Sequence, residues 1–137
     1  MPSLIIQRLL QQQGILHVDV VPDDVKLKIY ILALREIKYL LAKRKPRDIA
    51  QDSLVDYEDA LQEISCAFYE LRHKGIGKEF QLEQNVISEV DNALAHISAV
   101  LELVSKGLEY FQYAIKFRNI IFQVCSYFAE DDEGNVL

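Results

Sequence analysis

A chain of 137 residues, half of them apolar, with only 5 Gly and 3 Pro, is long enough to bury a core and too apolar to be disordered throughout. Its formal net charge of −6 disfavours wholesale binding to nucleic acid or an anionic membrane and leaves room for a local basic patch at most. No apolar run approaches the roughly 18–20 residues that span a bilayer. Leu4-Ile5-Ile6 is broken by Gln7-Arg8 with no small-residue cleavage site after it, so no secretory signal is expected. The expected location is cytoplasmic, with Cys66 and Cys125 reduced and buried as small apolar groups.

Ser3 can cap a short helix from Leu4 to Gln13 that Gly14 stops, because a serine oxygen accepts from the first turn and glycine adopts the left-handed stop. So short a helix persists only when docked. Residues 15–21 are dominated by β-branched side chains and read as extended, either a linker on the bundle or an edge that pairs with another chain. The first 21 residues are therefore expected to be a docking segment.

Pro22-Asp23-Asp24 opens the second helix, with the acids at its positive end. Leu27, Tyr30, Leu34, Ile37 and Leu41 step by 3 and 4, a bundle seam. Lys43-Arg44-Lys45 suits the negative C-terminal end, and Pro46 ends the helix. Ser53, with Asp56 three places on, predicts the cap of the third helix. Its seam runs through Leu54, Tyr57, Leu61, Ile64, Phe68 and Leu71, and Gly75-Ile76-Gly77 closes it.

The last helix begins between Lys78 and Glu83. Val90, Leu94, Ile97, Leu101, Val104, Leu108, Phe111 and Ile115 keep the heptad stepping across Gly107 without a skip, and no capping residue follows at 108–110. One helix bent at the glycine is favoured over a stop in which Leu108 touches Leu103. Unbroken from 80 to 129 it would be roughly 75 Å long against roughly 33 Å for the others. Its far half holds seven of the 13 aromatics and is apolar on more than one face, so it must be covered on several sides. A fold-back, the N-terminal segment or a second molecule would serve. The acidic tail at 130–137 is expected to fray.

Catalytic constellations are missing. Glu70 and His73 form one Glu-x-x-His where a bundle di-iron site needs two. His96 has Asn92 and Val100 at helical spacing, and His17 stands apart. Neither cysteine has a histidine at helical spacing. Gly75-Ile76-Gly77 lacks the strand and spacing of a phosphate loop. No Arg and His spaced along one helix, as in some small helical RNases, occur, and Val136-Leu137 lacks the Ser/Thr of a common C-terminal peptide motif. No metal, cofactor or small-molecule substrate is implied.

The sequence thus predicts an all-α, mostly antiparallel bundle in a single domain, with a short N-terminal helix, two helices of about 22 residues and a long last helix. The expected function is non-enzymatic protein–protein interaction, as an adaptor, chaperone-like or assembly subunit. The expected interface is Leu108, Phe111, Tyr113, Phe117, Ile121, Phe122 and Phe128, and a homo-oligomer, a dimer first, is the simplest partner arrangement. The alternative is a nucleic-acid-associated bundle using a basic collar of Lys43, Arg44, Lys45, Arg47 and Lys106, although no aromatic lies within 43–47 to stack a base.

Overall fold

The computed structural model describes residues 3–17, 20–75, 82 and 84–128. It is all-helical, as the seams require: α1 (Leu4–Gln12), α2 (Asp23–Ala42), α3 (Gln51–His73), α4 (Gln84–Ser105) and α5 (Phe111–Ser126), with a 3-10 turn at Pro46–Asp48. Each of α2 to α5 packs on its chain neighbour, and α5 closes the ring against α2. Ser65 and Tyr69 reach Asp91, and Ser98 reaches Glu58, so α3 and α4 run antiparallel. Lys74 at the end of α3 pairs with Asp23 at the start of α2, at 3.7 Å. Across the diagonal, Tyr57 meets Phe117 and Phe68 meets Phe128, so α3 and α5 run parallel. Every seam residue expected in α2 and α3 is buried.

α1 lies over α2 and α3. Ser3 caps it as expected, its Oγ accepting from the Ile6 N–H at 3.5 Å. Gly14 ends it at φ 69°, with the Gly14 and Ile15 N–H groups donating to Gln11 and Leu10. Of the predicted extended stretch 15–21, Val18 and Asp19 lie outside the described residues. The described remainder forms no strand, and the Val20 N–H closes a turn onto His17. The third helix also starts earlier than Ser53, from an Ala50 N-cap with no side-chain bond, and Asp56 accepts from the Leu4 and Ile5 N–H groups instead. The start expected for the last helix, within Lys78–Glu83, the tail 130–137 and Val136-Leu137 also lie outside the described residues, apart from Leu82, which is buried.

The main correction is at Gly107. The helix stops there, with φ 68°. The Gly107 N–H donates to Val104 and the Leu108 N–H to Leu103, both at 3.0 Å, the paired bonds of a Schellman stop. The turn resets the helical phase. Upstream, Val90 and Ile97 are fully buried, with Leu94, Leu101 and Val104 packed against the core. Downstream, the extrapolated Leu108 is exposed, and the core is filled by Ala114, Phe117, Ile121, Val124, Cys125 and Phe128. Nothing crowds a Cβ at Gly107, so Gly107→Ala tests the backbone alone. It should cost about 1–2 kcal/mol, read as a lower denaturant midpoint at unchanged slope.

Candidate functional site

Folding α5 back on α2 divides the residues expected at an interface. Phe117 and Ile121 are fully enclosed and Phe128 nearly so within the protein's own core, Phe117 on Tyr57 and Phe128 on Phe68 of α3. Leu108 is 53 % exposed, Tyr113 44 % and Phe122 37 %, and Phe111 is half-buried. Tyr39 on α2, which the sequence did not single out, is 58 % exposed. The surplus apolar surface of the last helix is therefore smaller than the sequence implied, and the most exposed large apolar side chains are Leu4, Leu16 and Val20 near the N-terminus.

The collar and the aromatics come together on the α2–α5 side. The Lys38 Nζ lies 5.5 Å from the Phe122 ring centroid, and the Lys43 Nζ lies 3.9 Å from that of Tyr39. The Arg47 guanidinium carbon is 5.4 Å from the Phe111 ring, and Lys116 stands 5.8 Å from Tyr113. Cations settle over ring faces because the π quadrupole is negative there. The Tyr110 hydroxyl donates to the Arg47 carbonyl at 2.8 Å and ties the α4–α5 turn to the turn after α2. Lys43, Arg44, Lys45 and Arg47 are all exposed. Lys106, the fifth collar residue, is held by Glu102 at 2.9 Å on its own helix. That pairing keeps the Glu102 carboxyl below its ordinary range.

Helix neighbours sort the charge. From Asp23 to Asp48, together with Glu109 and α5, there are ten Lys or Arg against five acids. α3 and α4, with the residues that directly follow them, carry nine acids against Arg72, Lys74 and Lys106, and of these acids Asp56, Glu63 and Glu70 face α1 or its groove. The acidic side has polar cross-links: Asp91 accepts from Ser65 and from Tyr69, and Glu58 from Ser98. The hydrogen bond to Asp91, assisted by burial and the carboxylate charge, pushes the Tyr69 hydroxyl up.

A second feature is a cavity of about 640 Å³ between α1, residues 15–17, α2 and α3. Leu10, Ile15 and Tyr30 supply apolar lining, and Lys26, Glu63, Cys66 and Glu70 polar lining. Cys66 is exposed there, contrary to the expected buried thiol, whereas Cys125 is buried as expected. His17 lies at this groove and is far in sequence from His73 and His96. Among the described residues, no three His, Cys, Asp or Glu come together to hold a metal, and no helix is long and apolar enough to cross a membrane. No protein-family model, curated protein or solved structure matches the chain.

Asp56, expected in the cap at Ser53, and Glu63, which the sequence left unassigned, are structural anchors. The Leu4 and Ile5 N–H groups donate to the two oxygens of Asp56, at 2.6 and 3.3 Å, and the Ser3 N–H donates to Glu63 at 3.3 Å. Two α3 carboxylates thus satisfy the orphan donors at the positive end of α1. The only sequence signal was a short helix with no acid in its first turn.

Proposed function

We propose that this protein is a non-enzymatic interaction module that self-associates through the α2–α5 side. The observation that carries the reading is the set of rings on that side, the exposed Tyr39 and Phe122 and the half-buried Phe111, each with a cation beside it. Aromatic residues and arginine are enriched in protein interfaces, where they combine large contact area with little entropy loss. The rings are separated by cations, which supports a partner offering both apolar and acidic surface. An extended apolar partner surface alone would leave those charges desolvated.

The test is solution mass by light scattering across a concentration series. The wild-type protein should run above its protomer mass of 15.8 kDa and approach it on dilution. Phe122→Asp should remain at the protomer mass with unchanged helix content, because Phe122 is outward-facing. A wild type that stays monomeric throughout, or a Phe122→Asp variant that associates as the wild type does, would sink the reading.

A further inference from the structure

The geometry points to a second copy of this chain as the occupant of the α2–α5 side, docked by its own α3–α4 side in a head-to-tail arrangement. The inference rests on the self-association reading above and adds which surface meets which.

Charge complementarity carries it. The α2–α5 side holds a cationic excess around Lys38, Lys43, Arg47 and Arg118, interleaved with Tyr39 and Phe122. On α3, Val55 is exposed beside the half-buried Glu58 and Asp59, and Tyr69 is exposed beside Asp91 of the adjoining helix, which also carries Glu102. Each side therefore offers a few exposed apolar groups set among charges predominantly of one sign, and the signs are opposite. An isologous dimer through the α2–α5 side would press two cationic surfaces together, and like-charge juxtaposition suppresses such pairing. A two-fold axis through the α3–α4 side would do the same with carboxylates. Only the heterologous pairing matches the signs. A heterologous contact uses two different patches per molecule, so it propagates as an open chain unless the rotation closes a ring. The assembly is thus a ring or a growing chain, rather than the two-fold dimer that the apolar surplus alone suggested.

Two triple variants test the assignment: Lys38→Glu/Lys43→Glu/Arg118→Glu on one side and Glu58→Lys/Asp59→Lys/Glu102→Lys on the other. Light scattering is recorded for each alone, for the wild type and for an equimolar mixture, with circular dichroism confirming helix content. Salt is taken from about 0.01 M to about 1 M, where the Debye length falls from roughly 30 Å to roughly 3 Å. The wild-type mass should rise with concentration at low salt and collapse toward 15.8 kDa at high salt. Each variant alone should be monomeric. The mixture should associate above the protomer mass, because each member retains one intact patch of opposite kind. Should a charge-reversed chain not fold, the milder set Lys38→Gln/Lys43→Gln/Arg118→Gln should still lower the wild-type mass.

A salt-indifferent wild-type oligomer, or either triple variant associating alone as the wild type does, overturns the head-to-tail assignment while leaving self-association standing. So does a mixture that stays monomeric. A wild type monomeric at every concentration overturns both. If that monomer instead shifts a labelled single-stranded oligonucleotide at low salt, and the Lys38/Lys43/Arg118 variant does not, the basic side is a nucleic-acid surface.

Discussion

Phe117→Asp should leave the chain unfolded, whereas Phe122→Asp, on the same helix, should fold normally. The Phe117 ring is fully enclosed and stacks on Tyr57, with centroids 6.5 Å apart and planes 21° from parallel. That contact crosses the diagonal of the bundle and joins α5 to α3. A carboxylate there would be buried with neither water nor a cation, a penalty that can exceed the whole stability of a small domain. Phe117→Ala separates cavity from charge: removal of a buried phenyl costs about 3–5 kcal/mol. Far-UV circular dichroism and urea titration read both. A Phe117→Asp protein with the wild-type midpoint would mean that α5 is not docked on α3, and the assignment of inner and outer faces along α5 would fall with it.

The contrast between those two phenylalanines also marks where the sequence stops being sufficient. In α2 and α3 the apolar stepping is unbroken, and Leu27 through Leu41 and Leu54 through Leu71 bury the residues it names. Periodicity is a local property, and it reads well wherever the helix is continuous. At Gly107 two local signals competed. The heptad phase ran on to Leu108, Phe111 and Ile115, while the glycine offered a left-handed stop. Two backbone bonds to Val104 and Leu103 decide the matter, and periodicity carries no information about them. Past the stop, α5 turns a different face inward, so Phe117, Ile121 and Phe128 become core. The charge segregation was hidden for the same reason. Lys116 and Arg118 lie on the helix that the break returns to α2. Neighbours in sequence showed a basic run at 43–47, and neighbours in space add the aromatics beside it. The anchoring of α1 was out of reach for a third reason: Leu4 and Asp56 are 52 positions apart, and a local capping pattern at Ser53 accounted for Asp56 without it.

Asp56→Ala should release α1 while the ring of α2 to α5 stays folded. The carboxylate accepts from the Leu4 and Ile5 N–H groups, and hydrogen bonds to a charged acceptor contribute about 1.5–3 kcal/mol each. Even with the loss reduced by exposure at Leu4, about 2 kcal/mol is expected. Without its anchor a helix of 9 residues is too short to persist by itself, so Ile5, Ile6 and Leu10 would leave the core together. Hydrogen exchange should show fast amides across residues 4–12, with those of α3 and α5 still protected. Unchanged protection of α1 would show that apolar contact alone holds it. Glu63 gives the same junction a pH dependence of known sign. Burial, opposed by the Ser3 N–H, pushes its carboxyl above the ordinary value. Between the unfolded and folded pKa values the native state therefore binds more proton than the unfolded state. Stability from this group is full below that window and is lost as pH rises through the raised pKa. Glu63→Gln keeps an oxygen for the Ser3 N–H and removes the charge. It should flatten that part of the stability profile and raise the urea midpoint at neutral pH, and an unaltered profile would place the pH dependence elsewhere.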